Sequence, residues 1–149
     1  MKRYYTLLRR LTLTTLCALL CATAALAQNR IDRKLDRRTG NGASNFTSVV
    51  KRNPDTRKVE KVVKVLTVGG WEANGFADAF YDEAHTGSFT EKRDEATGSV
   101  TLLLTVSTAK AERIYMLEGR VPRPYAKEAK PYVGSAKITV IVVYKGGKG

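Results

Sequence analysis

The fold is decided by residues 57–84, RKVEKVVKVLTVGGWEANGFADAFYDEA, in which strand periodicity gives way to helix periodicity. Residues 57–68 are rich in valine and alternate too regularly for a helix, which predicts a β-strand. A glycine pair then releases the chain into residues 71–84. The apolar residues of this second segment recur at helical spacing and predict an amphipathic helix with a broad aromatic face. Those on the predicted buried face are Ala73, Phe76, Ala77, Phe80 and Ala84.

Two glycines and two valines qualify this prediction. We expect Gly75 to weaken the helix by about 1 kcal/mol relative to alanine, and Gly87 to end it. Within the strand, the apolar set changes face near Val62 and Val63. Either a β-bulge at that point or a strand covered on both faces would account for the change.

The strand continues a hairpin that begins upstream. Residues 46–52 form the first arm, and residues 53–56 form the turn. Pro54 presets φ at the first central position of this turn, and the side chain of Asn53 can accept hydrogen bonds from the backbone that follows it.

Strand patterns return after the helix. Residues 88–92, 99–108, 113–118 and 136–145 alternate in hydropathy, whereas the proline-rich stretch at 121–135 predicts a loop. Short connections imply mostly antiparallel pairing. We therefore predict an α+β two-layer domain with order α-ββ-α-βββ, in which an antiparallel sheet of about five strands is covered on one face by the helix at 71–84.

The N-terminal residues 1–27 have the features of an export signal. Basic residues precede an apolar stretch, and Ala25-Leu26-Ala27 places small side chains where a signal peptidase requires them. We expect cleavage after Ala27, secretion or a periplasmic location, and a single domain over residues 28–149 without a membrane span. Both cysteines, Cys17 and Cys21, would leave with the signal.

The start of the mature chain has two interpretations. Residues 28–44 place Ile31 and Leu35 four positions apart among charges, which favours a short amphipathic helix followed by a glycine-containing linker. The alternative is a frayed basic tail.

A resemblance lies in residues 49–84. The run VVKRNPDTRKV at 49–59, the valine-rich strand and the FADAF helix resemble a family of small secreted Bacteroidetes proteins of no assigned function. The resemblance implies an exported α+β domain of a Gram-negative envelope and carries over no catalytic residue. This chain departs from the family in its proline-rich stretch at 121–133 and in the lack of lysine at 71–84.

Catalytic and metal-binding residue types are scarce. There is one histidine, His85, no cysteine after the signal, and no phosphate-binding or dinucleotide-binding glycine motif. His85 beside Asp82 and Glu83 could serve as a general base, but a histidine also complements a helix C-terminus. Asp78, Asp82 and Glu83 favour a solvated helix face over a glycosidase pair. We expect no cofactor, no metal and no enzymatic activity.

Charge gives the binding hypothesis. The chain has net charge +12, yet residues 69–90 contain four acids and neither lysine nor arginine. The basic candidates of the first hairpin are Arg52, Arg57, Lys58, Lys61 and Lys64, and the candidate exposed aromatics of the loop are Tyr125 and Tyr132. Strand parity places Lys61 and Lys64 on opposite faces. Lysine on a strand edge also keeps a protein soluble and unpaired, which is the simpler interpretation.

Three functions follow from these observations. The first is a non-enzymatic binding or assembly domain of the envelope, whose partner is an envelope protein. The second is a binder of anionic polymers or anionic lipid surfaces. For an exported protein such ligands are lipopolysaccharide, anionic lipid or extracellular nucleic acid, of which we expect nucleic acid least. The third is a small hydrolase, which would depend on His85 with Asp82 and Glu83.

Overall fold

The computed structural model describes residues 29–40, 42, 45–121 and 134–146. The predicted signal at 1–27 and most of the proline-rich stretch, including Tyr125 and Tyr132, lie outside the described residues. The elements in chain order are α1 (Arg30–Thr39), β1 (Phe46–Arg52), β2 (Val59–Gly69), α2 (Gly70–Glu83), a 3₁₀ turn (Ala84–Thr86), β3 (Ser88–Asp94), β4 (Ser99–Ser107), β5 (Ala111–Gly119) and β6 (Ser135–Tyr144).

The six strands form one antiparallel sheet in the order β1-β2-β6-β5-β4-β3. The predicted α+β class with an antiparallel sheet is confirmed, whereas the count of about five strands and the order α-ββ-α-βββ are wrong. The observed order is α-ββ-α-ββββ. Strand β3 extends the predicted strand at residues 88–92 to seven residues and pairs with β4 across a turn, so that four strands, and not three, follow α2. The Asp94 side chain stabilises that turn by accepting a hydrogen bond from the backbone N–H of Ala96 at 3.0 Å.

The first hairpin forms as predicted but with different limits. Asn53 Oδ1 accepts from the backbone N–H groups of Asp55 and Thr56, both at 2.9 Å, so the expected turn is confirmed. Strand β2 begins at Val59 and not at residue 57, because Arg57 adopts a left-handed φ of 59° within the turn.

The predicted irregularity at Val62 and Val63 is wrong in its position. Strand β2 stays in register with both of its neighbours at these two valines, and the only shift in its ladder with β1 lies between Lys51 and Arg52. The valines therefore occupy both faces of β2 because the strand alternates normally.

Both helices pack on one face of the sheet, which we call the inner face. Helix α2 buries the predicted residues except Ala84, which lies half-buried in the 3₁₀ turn. Helix α1 contributes Ile31 and Leu35, which are fully buried in the same core. The prediction of a single covering helix and the alternative of a frayed basic tail at the start of the domain are therefore both wrong. The cover has two helices, because the two apolar residues of α1 find partners on α2 and the sheet.

The opposite side of the sheet, the outer face, is covered by no element among the described residues. An apolar row crosses it from strand to strand, since Val49 pairs with Val63, Val63 with Ile141, and Ile141 with Ile114. Val49, at the edge, is 58% exposed. Strand β2 is therefore covered on its inner face, and the described chain offers nothing that covers its outer one.

Candidate anion-binding surface

Helix α1 presents a row of basic side chains to solvent. Its start is fixed by Asn29, whose side chain accepts a hydrogen bond from the N–H of Ile31 at 2.8 Å. Because Ile31 and Leu35 turn inward, the basic residues between and after them face outward. The basic residues of this helix are Arg30, Arg33, Lys34, Arg37 and Arg38.

The acidic residues of α2 neutralise the two ends of this row. Arg30 pairs with Asp82 through its guanidinium, and its backbone N–H donates to Glu83 at 2.8 Å. Arg38 pairs with Glu72 at 3.2 Å. The charges that are separated in the sequence therefore meet across the interface between α1 and α2.

The middle of the row keeps its charge. Arg33 and Arg37 have no ion-pair partner within the described part of the chain, and their spacing of four places them on the same side of the helix. Lys34 follows Arg33 in the sequence and extends over the ring of Phe76, with 5.9 Å from Nζ to the ring centre. Three exposed cations thus occupy adjacent positions.

Three shallow hollows surround the same residues. The largest, of about 460 Å³, lies between α1 and α2 and includes Arg30, Lys34, Asp78 and Tyr81 in its lining. Two further hollows of about 310 and 240 Å³ both include Lys34 and Arg37. The surface is open, so it suits an extended ligand better than an enclosed small molecule.

A buried acid fixes α1 to the sheet. Asp32 is 6% exposed and accepts a hydrogen bond from the hydroxyl of Tyr115 at 2.9 Å, and it is also paired with the guanidinium of Arg113. None of these three residues is among the candidates from the sequence. The available signal was that Asp32 lies between Ile31 and Leu35 on the side of the helix that turns inward.

Burial, together with the negative charge of Asp32, raises the pKa of the Tyr115 hydroxyl above its ordinary value of 10.0. An unfolded tyrosine would ionise near pH 10, while the folded one stays neutral. We therefore expect the free energy of unfolding to be constant with respect to this group below about pH 10 and to fall as the pH rises above it. Urea titrations of the wild type and Tyr115→Phe at pH 8 to 11 measure this, and the decline should be shallower in the variant. An equal decline would contradict it.

The structure also locates the candidates of the first hairpin. Arg52, Arg57 and Lys58 are exposed around the turn, while Lys61 lies on the outer face of β2. Lys64 lies on the inner face and pairs with Asp36 of α1 at 3.1 Å. The expectation that Lys61 and Lys64 lie on opposite faces is confirmed, so the five residues do not form one surface.

The candidate acid–base residues do not come together. His85 is exposed in the 3₁₀ turn and forms no hydrogen bond or ion pair with any described residue, while Asp82 and Glu83 both contact Arg30. No group of three metal-ligating side chains occurs within the described residues.

Comparisons with protein-family models, curated proteins and solved structures find no match to this chain. Neither described helix has the length and hydropathy of a membrane span.

Proposed function

We propose that this chain is an exported, non-enzymatic binding domain that holds an anionic polymer along α1. The observation that carries the proposal is the row of Arg33, Lys34 and Arg37, which have no ion-pair partner among the described residues, on a helix whose neighbouring cations are already paired. Cations that lack a protein partner are available to sulfate, phosphate or carboxylate groups of a ligand.

The spacing of these cations favours a polymer. At 1.5 Å per residue, Arg33 and Arg37 lie about 6 Å apart along the helix axis, and the whole row from Arg30 to Arg38 extends about 12 Å. Several separate anionic groups are needed to contact such a row at once. Trp71 is 78% exposed and lies in the first turn of α2. It directly precedes Glu72, which pairs with Arg38. An exposed aromatic ring can pack on a sugar ring, and an anionic polysaccharide therefore fits best.

Retention of the purified protein on immobilised heparin tests the proposal. We expect Arg33→Glu with Arg37→Glu to elute at clearly lower salt than the wild type. Two contacts between arginine and the anionic groups of heparin are lost, and two glutamates that repel those groups are added. The slope of log affinity against log salt should fall in magnitude by about one for each lost contact.

The matched control is Arg57→Glu with Lys58→Glu, which changes the net charge equally but at the hairpin turn. This variant should elute close to the wild type if α1 carries the binding. Equal losses in both double variants would show that net charge alone is responsible and would overturn the assignment to α1. Flow-through of the wild type near physiological salt would overturn polymer binding altogether.

A second arm separates a polymer from a lipid surface. We expect little sedimentation with vesicles of phosphatidylcholine and phosphatidylglycerol at the salt concentration where heparin still retains the protein. The anionic membrane surface would be the ligand instead if the protein sediments with the vesicles at that salt concentration. In that case Arg33→Glu with Arg37→Glu should also reduce sedimentation as much as it reduces heparin retention.

A further inference from the structure

The two edges of the sheet are built differently. Edge strand β3 has the sequence SFTEKRD, with four charged residues, whereas edge strand β1 has the sequence FTSVVKR and is uncharged over residues 46–50. Charges along an edge strand oppose pairing with another chain. No described element pairs with β1 on the side away from β2. Of the two edges, β1 is therefore the one open to pairing.

The backbone of β1 shows which groups are available. The N–H of Thr67 donates to the carbonyl of Asn45 at 3.1 Å, so Asn45 directs its polar groups toward β2. Because these directions alternate along an antiparallel strand, Thr47 and Val49 also face β2, while Ser48 and Val50 direct their N–H and C=O groups away from the sheet. Those outward groups can accept a further strand.

We propose that the further strand is β1 of a second copy of this chain, paired antiparallel with Val49 on the two-fold axis. In this register Ser48 of each copy exchanges backbone hydrogen bonds with Val50 of the other, and all seven residues of β1 find a partner. The two sheets would join into one continuous sheet of twelve strands.

Charge and hydropathy support a second copy as the occupant. The register sets Lys51 opposite Thr47 and Arg52 opposite Phe46, so like charges never stand directly opposite each other. Val49 of one copy meets Val49 of the other, and this joins the apolar rows of the two outer faces. Val49 and Val50, which are 58% and 47% exposed, would become covered.

Salt distinguishes this association from the proposed polymer binding. After the expected cleavage, which removes four basic residues, each copy has net charge +8. Two such copies repel each other, so added salt should strengthen the dimer. Polymer binding along α1 should weaken with salt. The dimer uses no residue of α1, and either proposal can fail without the other.

Disulfide trapping tests the register. In a chain from which Cys17 and Cys21 are absent or replaced by alanine, we expect Val49→Cys to form a covalent dimer under mild oxidation. Non-hydrogen-bonded antiparallel pairs place their Cα atoms about 4.5 Å apart, within the range of a disulfide. Val50→Cys, one residue out of register, and Thr90→Cys, exposed on the opposite edge strand, should cross-link far more slowly.

Light scattering during gel filtration tests the interface itself. We expect the wild type to have the mass of two chains, and Val49→Lys, which sets two lysines opposite each other on the axis, to shift to the mass of one. A monomeric wild type at high protein and high salt would overturn the proposal. So would equal cross-linking at positions 49, 50 and 90, or a dimer that Val49→Lys leaves intact while circular dichroism shows the fold unchanged.

Discussion

Replacing Asp32 with alanine is expected to lower the free energy of unfolding by about 3 kcal/mol. Asp32 is buried, and it is the group that accepts the hydroxyl hydrogen of Tyr115 and pairs with Arg113. Its removal leaves a fully buried tyrosine hydroxyl without an acceptor and a half-buried guanidinium without its counter-charge. The two groups come from the sheet, so α1 also loses its polar attachment to β5.

Asp36→Ala is the matched control for this prediction, because the same acid is removed from the same helix at an exposed position. Asp36 pairs with Lys64 at the surface, where an ion pair contributes at most about 1 kcal/mol. Urea unfolding followed by circular dichroism measures both variants. Similar unfolding midpoints for Asp32→Ala and Asp36→Ala would show that the buried contact does not hold α1 in place.

The same contact explains why the sequence left α1 undecided. Two apolar residues four positions apart are compatible with a helix or with a frayed basic tail. The choice is made by Tyr115, which lies 83 residues away along the chain. Helix α2 was predictable because its apolar residues are numerous enough to define a buried face by their own spacing. Long-range partners therefore decide the conformation of α1, whereas local periodicity decides that of α2.

Charge counting along the sequence had a similar limit. The acidic segment at 69–90 and the basic segment at 30–38 are separate in sequence, but Asp82 and Glu72 contact Arg30 and Arg38 in the fold. Only this packing reveals which cations stay uncompensated. The sequence therefore predicts a basic protein, whereas the structure separates the paired Arg30 and Arg38 from Arg33 and Arg37, which have no ion-pair partner among the described residues.

Gly87 illustrates how the same residue can have a different role from the one its position suggests. From sequence, it was expected to end the helix, but α2 ends at Glu83 and a 3₁₀ turn follows to Thr86. The backbone of Gly87 is extended, with a φ of −166° that any residue can adopt. The constraint is space, because a Cβ at this position would lie 2.1 Å from the carbonyl oxygen of Thr105.

Gly87→Ala is accordingly expected to lower the free energy of unfolding by about 3 kcal/mol, since the backbone of β4 must move away from the start of β3. Thr105 pairs with both Ser88 and Ile114, so this movement strains two strand ladders. Gly75→Ala is the matched control. Its Cβ would meet only the flexible end of Lys34, at 2.9 Å, and alanine should stabilise α2 by up to about 1 kcal/mol. Thermal or urea unfolding of the two variants should therefore move in opposite directions. A change of less than about 0.5 kcal/mol for Gly87→Ala, the range of an ordinary surface substitution, would mean that β3 and β4 can separate without loss at this point.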